Sequence, residues 1–136
     1  MALVGGGGAG NVAGSNPAGI GFGFNYIGDH AYAFSGPIST NNNETTLLSF
    51  TTGAHYIVAT FQAQYFSDNN DVYVHKLKMD SQEVVGFEFN GSNNADGAIA
   101  REIIIPPFTK VVATAVNSTD TSSNNVGATI IGRVYA

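Results

Sequence analysis

The sequence predicts an all-β fold, and three observations carry that expectation. Apolar and polar residues alternate with a period of two through the middle of the chain, the mark of half-buried strands. Clusters of Gly, Pro, Asn, Asp and Ser recur at the spacing of roughly 8 to 12 residues typical of sandwiches and barrels. No segment carries a helical period long enough to form a crossover.

Taken in order, residues 1–24 form a glycine-rich arm. Gly, Ala, Asn and Ser dominate it, with Pro17 in the middle, so it has too little apolar surface to order on its own. Gly5-Gly6-Gly7-Gly8-Ala9-Gly10 satisfies the G-x-G-x-x-G pattern, and Asp29 stands near the ribose-binding offset. A dinucleotide site needs a full strand before the glycines and a helix after them. Leu3-Val4 is too short for the strand, and Asn16-Pro17 and the surrounding glycines break the helix, so the match is read as chance. Ile20, Phe22, Phe24, Tyr26 and Ile27 are apolar and partly separated by glycines, so the backbone can approach another protein surface closely. Fully extended, the arm reaches about 80 Å. These five residues are the expected contacts if the arm orders against a partner protein; the equal alternative is a disordered tail.

The body, residues 25–136, begins with a strand over 29–34, in which Tyr32 and Phe34 share a face. Ser35-Gly36-Pro37 turns the chain, Asn41-Asn42-Asn43-Glu44 is a loop, and 45–50 is a second strand. From Ile57 to Tyr65 the odd positions Ile57, Ala59, Phe61, Ala63 and Tyr65 are apolar and the even ones largely polar, which sets this strand's core face. Ser67-Asp68-Asn69-Asn70-Asp71 supplies a turn, the chain returns over 72–79, turns at Asp80-Ser81 and comes back over 84–89. A long loop over 90–97 leads to a strand over 98–105, where Arg101 and Glu102 break the alternation and suggest a bulge. Pro106-Pro107 ends it. Strands over 111–116 and 126–135 complete the set, the last pointing Val126, Ala128, Ile130 and Val134 inward. That makes about eight antiparallel strands, the count of a jelly-roll β-sandwich. An immunoglobulin-like sandwich is the alternative, disfavoured by the absence of Trp and of a Cys pair.

Composition narrows the function. With 136 residues and no cysteine the chain is one domain that needs no disulfide, and thiolate chemistry is excluded. A net charge of -5 with five Lys and Arg opposes a nucleic-acid partner. Charged residues are only 11%, so the surface is polar through amides and hydroxyls. No apolar run reaches the roughly 18 residues of a membrane span. The start of the chain lacks a signal-peptide pattern and reads as cytoplasmic synthesis with retention of the N-terminus.

No catalytic, cofactor or metal constellation emerges, and the chain is not expected to be an enzyme. His30, His55 and His75 fall on three expected strands with no carboxylate at fixed spacing, and read as solvated or packed histidines. Asp68-Asn69-Asn70-Asp71 carries oxygen ligands but lacks the alternation and distal Glu of a calcium loop. Glu83, Glu88 and Glu102 are scattered, and no Gly-x-Ser-x-Gly elbow occurs. The acceptor patterns at Asn43, Asn90 and Asn117 are expected from composition and are read as unmodified. Tyr56, Tyr65 and Tyr73 near amide-rich loops are candidates for stacking on sugar. Val58, Val84, Val112, Val116, Ile131 and Tyr135 lie opposite the inward sets and predict a homo-oligomer interface, most simply a trimer.

The blocks Asn25-Tyr26-Ile27-Gly28-Asp29-His30-Ala31-Tyr32-Ala33-Phe34-Ser35-Gly36, Ile105-Pro106-Pro107-Phe108-Thr109-Lys110-Val111 and Gly132-Arg133-Val134-Tyr135 resemble short proteins of tailed bacteriophages of aquatic bacteria. Some of those resemble capsid decoration, or cement, proteins with a jelly-roll body. The resemblance implies a virion protein made in the host cytoplasm, a trimer on the outer capsid surface near three-fold positions, with the major capsid protein as partner. The alternative function is a tail or receptor-binding module that recognises cell-surface glycan. A small self-assembling coat protein and a lectin-like or hydrolytic domain are further rivals.

Overall fold

The computed structural model describes residues 25–66, 70–90 and 98–135. Ten strands are described: β1 (Asn25–Ile27), β2 (His30–Phe34), β3 (Ile38–Thr40), β4 (Thr45–Thr51), β5 (Tyr56–Tyr65), β6 (Val72–Met79), β7 (Gln82–Asn90), β8 (Ala98–Ile105), β9 (Lys110–Asn117) and β10 (Asn124–Tyr135). No helix occurs among the described residues. The strands form two antiparallel sheets. The larger has the order β1-β2-β10-β5-β8, with β3 also paired to β10, and the smaller has the order β4-β9-β6-β7.

This order is that of a jelly roll, and the register shows why. Phe34 faces Thr129, Phe50 faces Val111, Ile57 faces Ile105 and Val72 faces Asn90. All four pairs are placed nearly symmetrically about the Asp80-Ser81 turn, so β2 to β10 form one long hairpin. The hairpin is rolled up so that β10 also pairs β5 and β9 also pairs β6. The result is a two-layer sandwich with apolar faces turned inward. Both turn residues take positive φ, 50° at Asp80 and 70° at Ser81, the primed geometry that matches strand twist.

The core lies between the sheets. Ile57, Ala59, Phe61, Ala63 and Tyr65 are all buried, as their alternation predicts, and face Leu77, Phe87, Val111 and Ala113 among others of the core. Phe61 stacks on Phe87 with centroids 5.7 Å apart, and Tyr65 meets Tyr73 edge-on at 5.1 Å. The buried Tyr73 hydroxyl donates to the Thr40 carbonyl at 2.6 Å, which keeps its polar end satisfied. At Gly132 a Cβ would come within 2.3 Å of the Val58 carbonyl oxygen, so β10 and β5 can approach here only without a side chain.

One expectation is extended and another corrected. Strands β1 and β3 add to the set the sequence predicts; each spans three residues, too few to show a period, and is anchored on one neighbouring strand. The bulge expected at Arg101 and Glu102 is absent, because β8 keeps an unbroken register with β5 from Ala98 to Ile105. Register shifts occur instead in β4 at Leu47 and in β7 at Val84. Arg101 occupies a core-facing position because β8 is an edge strand; its guanidinium leaves the sandwich over the Phe87 ring, 5.5 Å from the centroid.

Candidate assembly surface

The two outer faces of the sandwich differ in chemistry. On the smaller sheet the outward positions hold Lys76, Lys78, Glu83, Glu88 and Lys110. Glu44 binds them together: its carboxylate accepts from Lys78 Nζ at 2.9 Å and from the Thr114 hydroxyl at 2.6 Å. These hydrogen bonds, Thr114 first and Lys78 second, hold the Glu44 carboxyl below its usual range. Lys76 faces Glu83 at 3.7 Å. Val112 and Val116 lie on this face, opposite Lys78 and Val74, and are half-buried.

The larger sheet presents the opposite character. Strand parity puts Tyr32 and Phe34 of β2, Ile131 and Tyr135 of β10, Tyr56 and Val58 of β5, and Ile104 of β8 on one outer surface. Ile131 sits between Tyr32 and Thr60, and Val58 between Arg133 and Ile104. The rings of Tyr32 and Phe34 lie 5.1 Å apart, and those of Tyr56 and Tyr135 stack at 5.4 Å. Ile131 is 52% exposed and Ile104 63%. Exposed Phe66 lies against Gly127, which extends the strip toward the far end of the sheet. Charge also lies on this face: Glu102 stands opposite Thr60 on β8, in the same row as Ile131, while Arg133 Nη2 donates to Asp29, whose other oxygen lies 3.2 Å from His30 Nδ1. The Arg133 hydrogen bond and charge keep the Asp29 carboxyl below its ordinary range. An apolar strip several residues long on one face is larger than the scattered hydrophobics of an ordinary solvated surface.

The sequence-predicted interface residues therefore divide. Val58, Ile131 and Tyr135 are brought together on the larger sheet, with Tyr56, Ile104, Tyr32 and Phe34 as neighbours that sequence reasoning did not assign. Val112 and Val116 belong to the opposite, charged face, and Val84 lies in the β7 bulge, 47% exposed at the open side of the sandwich. Parity distinguishes inside from outside; it does not tell one sheet's outside from the other's. Among the predicted arm contacts, Ile20, Phe22 and Phe24 lie outside the described residues. Tyr26 and Ile27 belong to β1, their backbone paired with Ala31 and His30.

Of the tyrosines weighed for sugar stacking, Tyr65 and Tyr73 are core residues and Tyr56 is at the surface. Asn117 is buried, its amide donating to Asp71 at 2.9 Å and to the Ser122 carbonyl at 3.0 Å. Asn124 likewise donates to Asp71 at 2.9 Å. His30 and His55 are exposed, and His55 precedes β5 instead of lying within a strand. His75 is fully buried in β6. Among the described residues, no group of three or more His, Cys, Asp or Glu side chains is placed to hold a metal ion. Phe108, 72% exposed, takes a φ of 53° at the turn between β8 and β9.

Fold and surface together define a jelly-roll β-sandwich whose smaller sheet is rich in charge on its outer face and whose larger sheet carries an apolar strip beside Glu102 and Arg133. No protein-family model matches the chain, and no curated protein matches it. Among solved structures it is similar to the VP2 subviral particle of infectious bursal disease virus, with a TM-score of 0.48 and 12% identity over 76% of this chain and 32% of that one. It is also similar to the structure of the Gx strain of the same virus, at 0.43 and 11% over 96% of this chain and 38% of the other. A family 35 carbohydrate-binding module from Clostridium thermocellum aligns at 0.39 and 9%, over 70% of this chain and 96% of the module. The chain spans about a third of the length of the two viral chains. At these scores and identities the likenesses carry no argument about function.

Proposed function

We propose that this chain is a structural virion protein, a decoration or cement protein that oligomerises on the outer capsid surface and stabilises the shell. The observation that carries the reading is the apolar strip across the outer face of the larger sheet, centred on Ile131 and Ile104. Such a strip stabilises by being covered, at about 25 cal/mol for each Å² of apolar area removed from water. A closed symmetric assembly of copies covers it, proposed here as a trimer about a three-fold axis of the shell. The charged outer face of the smaller sheet stays in solvent, and the leader, residues 1–24, extends to neighbouring major capsid protein subunits. Three linked copies then multiply modest contacts through effective concentration. The sequence blocks around Asp29, Pro106 and Arg133 resemble short proteins of tailed bacteriophages of aquatic bacteria, some of which resemble decoration proteins, and this supports the same role.

A glycan-binding role draws less support. Asn117 and Asn124 of the amide-rich loop direct their amides to Asp71 and Ser122, groups of the protein itself. The test is an image of the intact particle: density for a jelly-roll trimer on the outer shell supports the proposal, and density confined to the tail tip favours the glycan reading.

A further inference from the structure

The sandwich is open on one side. Strand β7 ends the smaller sheet and β8 ends the larger one, and among the described residues no strand pairs with the outer edge of either. Between them runs a groove of about 430 Å³. Met79, Val84, Val85, Ile103 and Ile104 give it an apolar lining, and Arg101 with Glu102 borders it. Val84 projects there because the β7 bulge turns it out of the regular alternation. A groove flanked by two unpaired strand edges accepts an extended chain whose backbone supplies the missing hydrogen bonds and whose alternate side chains fill the apolar floor.

The leader contains a segment with that pattern. In Ile20-Gly21-Phe22-Gly23-Phe24 the period of a strand places Ile20, Phe22 and Phe24 on one face and only glycine on the other. The segment is uncharged and apolar, so its side chains match Met79, Val84, Val85, Ile103 and Ile104, while Arg101 and Glu102 keep the rest of the groove polar and can face the strand's backbone. We infer that the groove between β7 and β8 receives residues 20–24 from a second copy of the chain. This rests on the proposed reading of the protein as a self-associating body.

Geometry decides between the molecule's own leader and a neighbour's. Residue 24 joins the body at Asn25, the start of β1, and β1 lies at the edge of the larger sheet opposite to β8. Crossing the four inter-strand steps from β1 to β8 takes about 19 Å at the usual strand spacing. Phe22 can be at most about 11 Å from Asn25, and Ile20 about 18 Å, even with the chain fully extended. The segment cannot lie along the groove of its own molecule. A second copy has no such constraint. Ile20, Phe22 and Phe24, expected from the sequence as capsid contacts, go to the groove of a second copy instead, and residues 1–19 are left for the shell.

The chain has no cysteine, so single thiols can be introduced without interference. Full-length protein carrying Gly21→Cys is mixed with full-length protein carrying Val84→Cys, oxidised mildly, and analysed by mass; Ile104→Cys replaces Val84→Cys if that variant fails to fold. Sedimentation of the same mixture reports self-association independently. The inference predicts a disulfide-linked dimer containing one copy of each variant as the main oxidised product. Oligomers without that cross-link overturn the inference and leave the assembly reading standing. Monomers without it overturn both.

Discussion

Phe61 lies fully buried at the centre of β5, its ring stacked on Phe87 across the sandwich. Removing the ring leaves a void that the flanking Ala59 and Ala63 cannot fill. Phe61→Ala is therefore expected to cost about 3 to 5 kcal/mol in chemical denaturation; a negligible loss would mean that the ring does not pack as described. His75 makes a different prediction. Burial pushes its pKa down from 6.5 to about 4, although the backbone of Gln64 and Gly127 hydrogen-bonds to the ring. The unfolded chain takes up this proton near pH 6.5 and the folded one only near 4. Stability contributed by the neutral ring is thus lost as pH falls across that interval, by an amount of about 3 kcal/mol, and changes no further below it. The paired carboxylates Asp29 and Glu44, held below their ordinary range, lose stability at lower pH in the same direction. His75→Leu should flatten the part of the curve between pH 6.5 and 4 in urea titrations at stepped pH; an unchanged slope would place the charge change elsewhere. The sequence marked His75 only as solvated or packed, since its burial depends on β6 lying in the middle of the smaller sheet.

Among the elements, the turn joining β6 and β7 is the hinge of the rolled hairpin. Asp80 is tied to β9 in both directions: its N–H donates to the Lys110 carbonyl, and its carboxylate accepts from the Lys110 N–H at 2.9 Å. Ser81 makes no such claim on its side chain and pays for a φ of 70°. Ser81→Gly should raise stability by about 1 kcal/mol, the cost of a left-handed non-glycine residue; a loss in thermal melting would mean that the turn is not of the primed type. This turn was legible because Asp-Ser stands between two alternating runs. The long strands were legible for the same reason, as the buried odd positions of β5 show. Strands β1 and β3 were not, since three residues hold no period and their pairing comes from β2 and β10, distant in sequence for β3. Arg101 misled for an instructive reason. A charge at a core-facing position looks like a break in the strand, whereas at an open edge it reaches solvent past Phe87 without disturbing the ladder.

For the whole molecule, the legible part of the candidate surface was the set of outward apolar residues. The division of that set between two sheets follows from the rolling of the hairpin, a relation among strands far apart in the chain. Deletion of residues 1–23 removes none of the described strands, so the truncated body should still melt cooperatively, at a temperature lowered by loss of the groove contact, while losing attachment to shells in co-sedimentation. Normal decoration by the truncated protein would remove the leader from the contact. The central claim is that the strip around Ile131 is covered by other copies. It is tested most directly by the solution mass of the full-length protein over a range of concentrations, beside Ile131→Asp, in sedimentation equilibrium. The account predicts an oligomer, a trimer in the proposed reading, that shifts toward monomer in the variant with the fold intact by circular dichroism. A wild-type protein that stays monomeric at every concentration, or an oligomer indifferent to Asp at position 131, would contradict it.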